Sequence, residues 1–300
     1  MTNICDIMEL YFLRIISLVI IGFIYLIFDI FNKRNIPSLA VYSFLGYGVL
    51  LTLLYLNLHT IITSSLIAVA IISFGYILYK IGILGLGDIF ELASLSLIFP
   101  FLKNSFFYNM PQFNIPFIVS VLLNSGLVAI VLIPIFYLIK YKINIKKPIL
   151  KSVTKKQALK AGLIAISYFA FIMFLVILFG FKTSFLIIIL IAIFSVIMIL
   201  FEMPITNTMI SYVNVNAFEE DELIAMNLIN DQEARNLKKK FKHFNRLITK
   251  QLIKEMKQKH FKEKLPVYKE PIPFASMIFL GLVLGLGFGN IFLFIFLVIH

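Results

Sequence analysis

Two aspartates at the ends of apolar runs are the residues best placed to do chemistry. Asp29 closes the first apolar run, and Asp88 opens the fourth in the sequence Gly-Leu-Gly-Asp. A charge close to hydrocarbon costs a few kcal/mol, so acids in such positions are functional candidates. Two facing carboxylates can share one proton, after which one activates a water and the other acts as an acid toward a carbonyl. This pair therefore predicts hydrolysis of the aspartic protease type.

Other residues near these runs support the pair or play a structural part. Glu91 follows Asp88 by one helical turn, and we expect it to tune Asp88 or to bind a polar neighbour. Glu202 fits an interfacial position at the end of a later run. Gly85 and Gly87 lack a Cβ, so the backbone before Asp88 can bend tightly or admit an extended peptide. Asp88 itself also suits a helix N-cap, where a carboxylate is favoured.

Histidines and cysteine give no metal-binding pattern. The four histidines are scattered, without the spacing of a zinc motif, and the single cysteine, Cys5, cannot form a disulfide or a cysteine-based zinc site within one chain. The sequence also has no Gly-rich phosphate loop and no Cys/His pair in plausible register. We therefore expect no metal and no cofactor, and no catalytic set that competes with the two aspartates.

The composition predicts the elements that must position these acids. Hydrophobic residues make up 61% of the 300 residues and charged residues only 14%, more apolar surface than a soluble domain of this size can bury. Apolar runs of about 20 residues recur, each long enough to cross a bilayer. The sequence therefore predicts an all-α polytopic membrane protein with about eight transmembrane helices. The predicted spans are residues 11–31, 38–57, 60–80, 88–102, 116–140, 161–181, 183–201 and 274–298.

The basic residues orient these spans. Nearly all of the 27 Lys and Arg residues follow spans one, three, five or seven, which are segments on one side of the membrane. The positive-inside rule places that side in the cytoplasm and both termini outside. Asp29 and Asp88 then lie at the same depth, at the cytoplasmic face of the cell membrane. A hairpin of spans six and seven that fails to cross would preserve this sidedness.

The chain is predicted to have three parts. Residues 1–201 form a membrane domain with spans one to seven, residues 202–270 form a small basic cytoplasmic segment, and residues 271–300 form the last transmembrane helix. Three glycines at four-residue spacing in that last helix favour close helix packing. They are Gly281, Gly285 and Gly289.

The cytoplasmic segment has mixed patterns. Residues 209–218 alternate as in a strand, and a helical pattern with an acidic first turn begins at Glu219. Residues 236–264 are lysine-rich with interleaved Phe, Leu and Ile, which favours an amphipathic helix on an anionic membrane surface. The net charge of +12 comes from basic residues that lie mostly on one predicted side of the membrane. We therefore expect the lipid bilayer as a partner and no nucleic acid.

Several of these motifs resemble the type IV prepilin peptidase family, and the archaeal preflagellin and prepilin peptidases fit best. The similarity is firm over about residues 20–105 and 265–300, whereas spans six and seven look like additions. The motifs that carry it are Asp29 with Lys33, Arg34, Ile36 and Pro37, then Gly-Leu-Gly-Asp at 85–88, Leu-Ile-Phe-Pro at 97–100 and Lys-Glu-Pro-Ile-Pro-Phe-Ala at 269–275.

The resemblance implies a specific activity. It implies that Asp29 and Asp88 are the catalytic pair of a Gly-x-Gly-Asp membrane protease, which cuts the short basic leader from pilin-like or archaellin precursors at the cytoplasmic face. Bacterial members often carry a four-cysteine segment and N-methylate the product, and this chain lacks those cysteines. We therefore expect peptidase activity without methyltransferase activity. The signal peptide peptidase and presenilin group shares Gly-x-Gly-Asp but needs a Pro-Ala-Leu triplet, which is absent from this sequence.

Two other functions would use the same acids. A proton-coupled transporter or channel also places carboxylates in the membrane, but it is expected to show paired halves with matching broken helices. The sequence has no such internal symmetry. A catalytically inactive assembly subunit would have no need of both aspartates.

Overall fold

The chain is mostly helical, and each apolar segment predicted to span the membrane contains a helix. The computed structural model describes residues 4–32, 36–54, 57–81, 84–102, 105–107, 115–145, 153–181, 185–220, 222–269, 273–291 and 293. The helices are α1 (Ile4–Phe31), α2 (Ser38–Leu53), α3 (Leu58–Ile81), α4 (Leu86–Ile98), α5 (Phe117–Ile145), α6 (Lys155–Phe179), α7 (Phe185–Leu200), α8 (Glu202–Met209), α9 (Asp231–Lys240), α10 (Lys250–Gln258) and α11 (Phe274–Phe288).

Several of these helices suit a membrane by length and composition. Within the described ranges, α1, α3, α5 and α6 are each long and apolar enough to cross alone. The pair α7 and α8 is a fifth candidate, bent by 66° at the break between the two helices. The helices α2, α4 and α11 are shorter, with 16, 13 and 15 residues. A 13-residue helix rises about 20 Å, less than the ~30 Å of a hydrocarbon core.

The outer faces of the long helices are apolar. The most apolar stretch of α6 has no buried residue, and its side chains Ile166, Phe169 and Ile177 are largely exposed. In water, a surface of this kind is an aggregation hazard. In lipid it is ordinary, because the helix satisfies its own backbone hydrogen bonds and the side chains match the acyl chains. These surfaces support a membrane-embedded protein.

The short helix α4 lies inside the helix assembly. Every residue from 91 to 100 is buried, and the helix contacts α1, α2, α3, α5 and α11. A helix that is covered on all sides is expected to be apolar all round, and α4 fits this expectation apart from Asp88, Glu91 and its serines. Its first turn, which carries Asp88, is therefore held by protein on several sides.

One buried arginine ties three helices together at the opposite end of α4. Arg14 of α1 is 1% exposed. Its guanidinium donates to the carbonyl oxygen of Ile98 at 3.0 Å and to that of Leu51. Both carbonyls lie in the last turns of their helices, α4 and α2, where the backbone has no intrahelical donor to accept from. Arg14 thus supplies the donors that the buried helix ends require.

Helices α5 and α11 pack closely through Gly281. A Cβ built on Gly281 would lie 2.6 Å from the backbone nitrogen of Ser125 and 2.6 Å from the carbonyl oxygen of Val121. Backbone atoms cannot move aside as a side chain can. The expectation that the glycines of the last helix permit close packing is confirmed at this position.

Gly281→Ala is expected to destabilise the folded protein by about 1–3 kcal/mol, because the added methyl group forces α5 and α11 apart. Gly126→Ala is the matched control, since a Cβ at Gly126 of α5 meets no described atom within 4 Å. Thermal unfolding of both variants in detergent measures the difference. Equal transition temperatures for Gly281→Ala and the wild type would contradict this packing account.

The segment before α11 folds into a small α/β unit. Its three antiparallel strands are β1 (Ile210–Val213), β2 (Leu223–Ile224) and β3 (Leu265–Tyr268), in the order β1-β3-β2. The strand prediction for residues 209–218 is confirmed over β1, and the chain is mostly rather than wholly helical. The sheet, α9 and α10 enclose an apolar core. Its buried members are Val215, Phe218, Ile224, Ile229, Leu237, Phe241, Phe244, Ile248, Leu252, Met256, Phe261, Leu265 and Val267.

The predicted helix at Glu219 is wrong. The next helix, α9, begins at Asp231 with Asn230 as its N-cap, and it carries the acidic first turn and basic last turn. Glu222 instead accepts the backbone N–H of Glu219 at 3.0 Å and pairs with Lys269 at 2.5 Å. These contacts hold the acidic stretch in a turn that leads into β2, which outweighs its helical pattern.

The predicted amphipathic membrane helix over residues 236–264 is also wrong. The stretch contains the end of α9, all of α10 and irregular chain. Its apolar side chains, such as Phe241 and Leu252, are fully buried against the sheet. The periodicity of an apolar face is the same whether a bilayer or a sheet covers it, and here the sheet does.

Glu255, in the small α/β unit, has a lowered pKa. The carboxylate of Glu255 accepts hydrogen bonds from Lys259 Nζ at 3.0 Å and from the backbone N–H groups of Lys242 at 3.0 Å and His243 at 3.4 Å. The Lys259 bond, followed by the Lys242 bond, lowers the pKa of Glu255 to about 2. These donors join α10 to the chain that follows α9.

Acid is therefore expected to weaken this unit. Because the folded pKa of Glu255 lies below its ordinary value, the stabilisation is complete above about pH 4.5 and is lost as the pH falls toward about 2. Glu255→Gln is expected to lower the unfolding temperature at pH 7 and to flatten its dependence between these pH values. Glu263→Gln, at an exposed acid of the same unit, is the control. Circular dichroism melts of the full-length variants between pH 3 and pH 7 test both expectations.

Candidate active site

Asp29 is a buried carboxylate held by the start of α11. It lies in the last turn of α1 and is 6% exposed. Its Oδ2 accepts the backbone N–H of Ser276 at 2.9 Å and the Ser276 hydroxyl at 2.7 Å. Ser276 lies in the first turn of α11, where the helix dipole also favours a negative charge. The carboxylate of Asp29 is thus fixed in orientation, and its charge is stabilised by two donors.

Asp88 lies in the first turn of α4 in a different environment. Its Oδ2 accepts the backbone N–H of Gly85 at 3.2 Å, and the residue is partly exposed. The N-cap of α4 is Gly85, so the expectation that Asp88 is the N-cap itself is wrong. Asp88 is three residues into the helix and reaches back to the cap, as the acidic partner of a capping box does.

The two glycines before Asp88 matter for contact more than for backbone freedom. Gly85 has φ −77° and ψ 152°, an extended conformation open to any residue. The expected tight bend at Gly85 is therefore absent. A Cβ at Gly87 would lie 2.7 Å from Cδ1 of Ile36. Gly87 thus lets the chain that enters α2 pack against the start of α4, and it brings that chain next to Asp88.

Helices α1 and α4 bring the acids together. Asp29 and Asp88 lie close enough for their charges to interact, and both interact with Glu91. Glu91 is fully buried, and neither of its carboxylate oxygens has a hydrogen-bond partner in the described part of the chain. The structure therefore assembles all three sequence-predicted acids, from two helices, into one cluster.

Two residues of this cluster were not predicted from the sequence. Ser276 holds Asp29, although nothing in the sequence links residues so far apart. Tyr25 lies one helical turn before Asp29, is fully buried, and faces the carboxyl groups of Glu91 and Asp88. Its hydroxyl lies near Ser94, but no described residue completes a hydrogen bond with it. A tyrosine one helical turn from a candidate acid is a signal that the sequence does offer.

Other predicted residues lie elsewhere or outside the described chain. Glu202 is exposed in the first turn of α8, at the 66° bend. Lys33 and Arg34, the basic pair after Asp29, lie outside the described residues. Over the described ranges, no group of three or more His, Cys, Asp or Glu side chains is arranged to hold a metal ion.

The arrangement suits acid–base chemistry between unequal carboxyl groups. Asp29 has two hydrogen-bond donors and is almost inaccessible, whereas Asp88 has a single backbone donor and is partly open. When two neighbouring carboxyl groups differ in this way, one tends to keep its charge and the other to carry the shared proton. Proton sharing of this kind serves hydrolysis and proton transport alike.

Comparison with known proteins adds no relative: no protein-family model, no curated protein and no solved structure matches the chain.

Proposed function

We propose that this protein is an integral membrane aspartic endopeptidase that cuts the short basic leader from pilin-like or archaellin precursors at the cytoplasmic face of the cell membrane. The observation that carries the proposal is that Asp29 and Asp88, from separate apolar helices, lie close enough for their charges to interact in one partly buried site. The family resemblance of their flanking residues supplies the substrate class. If each aspartate only capped a helix, nothing would require the two side chains to lie near each other.

The unequal environments suggest a division of labour. Asp29, whose charge is stabilised by Ser276, takes a proton from the attacking water, and Asp88 gives its proton to the carbonyl oxygen of the scissile peptide bond. The tetrahedral intermediate collapses when the leaving amine takes up the proton from Asp29 and the hydroxyl proton returns to Asp88. The pair then shares one proton again, so the cycle consumes only water.

The proposal includes the eight-span topology. The end of α1 and the starts of α4 and α11 lie on one side of the bundle, as their contacts through Asp29, Asp88 and Ser276 require. The small α/β unit joins α11 at the same end, since β3 closes at Tyr268. Its lysines, together with the positive-inside rule, favour the cytoplasm for that side. A basic leader would then meet the acids from the cytoplasm.

A direct test is co-expression of the protein with candidate precursors, scored by loss of the leader on a gel and by mass spectrometry of the new N-terminus. Cleavage that depends on the protein supports the proposal. Intact precursor across a panel of archaellins and pilin-like proteins would count against it.

Proton-coupled transport is the second candidate, and one observation favours it. Ionisable residues inside membrane helices often mark proton relays, and Glu91 is a fully buried acid of this kind. Proton uptake by proteoliposomes, without any proteolysis of precursors, would favour transport over the peptidase.

A further inference from the structure

Glu91 is the acid that the two-aspartate mechanism leaves without a role. It is 0% exposed, and none of the described Lys, Arg or His side chains forms an ion pair with it. The titratable groups that face it are Asp88 on its own helix and Asp29 and Tyr25 on α1. Among the described residues, an ionised carboxylate at this position would have neither a counter-charge nor a hydrogen-bond donor.

Three carboxyl groups whose charges interact in a buried site disfavour the state in which all three are ionised. Hydrogen-bond donors decide which member keeps its charge. Asp29 has two donors and Asp88 has one, whereas Glu91 has none in the described chain. The cost of ionisation is therefore greatest at Glu91, and a proton on Glu91 is the arrangement that the cluster favours.

We propose that Glu91 is a positioning residue that keeps its proton and so leaves one shared proton to Asp29 and Asp88. The proposal rests on the peptidase function given above. The proton on Glu91 is not consumed in a turnover. A neutral Glu91 adds no charge beside the pair, so that the titration of the pair is set by the two aspartates and their own hydrogen-bond donors.

The pH profile of cleavage tests this role. Glutamine is as neutral as a protonated glutamate, so Glu91→Gln is expected to leave the position of both limbs of the profile unchanged. An ionised Glu91 would disfavour loss of the proton from the pair, since like charges repel, and its removal would then move the alkaline limb of leader cleavage to lower pH by about one unit. Glu91→Asp, which keeps a carboxyl group at this position, is expected to give the same limbs as the wild type.

A second measurement tests the proton directly and needs no substrate. The infrared spectrum of the wild-type protein at neutral pH is expected to contain the carbonyl stretch of a protonated carboxylic acid that is missing from Glu91→Gln. If wild-type protein cleaves no precursor yet shows this band, the peptidase proposal fails while the protonated Glu91 stands. If cleavage occurs but the band is identical in both proteins, the role proposed for Glu91 is overturned.

Two further outcomes would also overturn the proposal. One is an alkaline limb that moves to lower pH by about one unit in a Glu91→Gln protein that melts at the wild-type temperature. The other is loss of cleavage at every pH in a folded Glu91→Gln protein, which would make Glu91 a participant in the reaction instead of a positioning residue. If Glu91→Gln does not fold, the wild-type infrared titration and the Glu91→Asp profile still decide.

Discussion

Asp29→Asn and Asp88→Asn are each expected to lower leader cleavage by about 10²–10⁴-fold, the usual contribution of a general acid or base. Asparagine keeps the shape of aspartate but neither holds a charge nor carries an exchangeable acid proton. In Asp29→Asn, the side-chain carbonyl oxygen can still accept the N–H of Ser276, so the junction of α1 and α11 is preserved. The loss would therefore be chemical and not a failure of folding.

The measurement is cleavage of a co-expressed precursor in membranes, with the amount and melting temperature of each variant determined beside it. Asp231→Asn, at an exposed acid in α9, is the matched control and is expected to cleave normally. Full cleavage by a folded Asp29→Asn or Asp88→Asn protein would contradict the peptidase proposal. A drop in melting temperature without a drop in cleavage would identify Asp29 as a cap for α11 and nothing more.

Local patterns were enough to predict most of the helices. Runs of apolar residues located α1 to α7 and the start of α11, because a helix satisfies its own backbone hydrogen bonds inside an apolar environment. The same runs could not predict that α4 is only 13 residues long and enclosed by other helices. Enclosure is a property of the neighbours, and an apolar run is the same whether protein or lipid surrounds it.

In the candidate site, too, local patterns predicted some residues and tertiary packing determined the others. Asp29 and Asp88 were predicted from the energetic cost of acids in apolar runs. Ser276 was not, because its bond to Asp29 joins the first and last helices and depends on tertiary packing. Glu91 was expected to tune Asp88, but the finding that no described residue forms a hydrogen bond with it depends on how the surrounding helices pack.

In the small α/β unit, tertiary structure overrode local pattern. Glu219 and Glu222 suited the first turn of a helix, yet Lys269 holds Glu222 beside the sheet. Lys269 lies next to β3, which pairs with both other strands. Strand pairing between residues far apart in sequence leaves no local signal. The local pattern therefore placed the start of the helix at Glu219 instead of Asp231.

Arg14→Met is expected to cause the largest loss of stability of any single substitution considered. Arg14 lies about 22 Å along α1 from Asp29, at 1.5 Å per residue, and is almost wholly buried. Removing it breaks two hydrogen bonds to carbonyl groups of α2 and α4. Hydrogen bonds from a charged donor are worth about 1.5–3 kcal/mol each, and the abandoned carbonyls stay buried. The expected cost is therefore roughly 3 kcal/mol or more.

Arg14→Lys keeps the positive charge at this position but removes the planar set of hydrogen-bond donors. A lysine ammonium is a point charge without the planar fork of arginine, so it is expected to reach only one carbonyl and to recover part of the stability. Arg235→Met makes the same replacement at an exposed position of α9 and is expected to leave the melting temperature unchanged. Thermal unfolding in detergent ranks the four proteins. A melting temperature for Arg14→Met that matches the wild type would show that the ends of α2 and α4 find other donors, so that α4 does not depend on this cap to hold Asp88 in place.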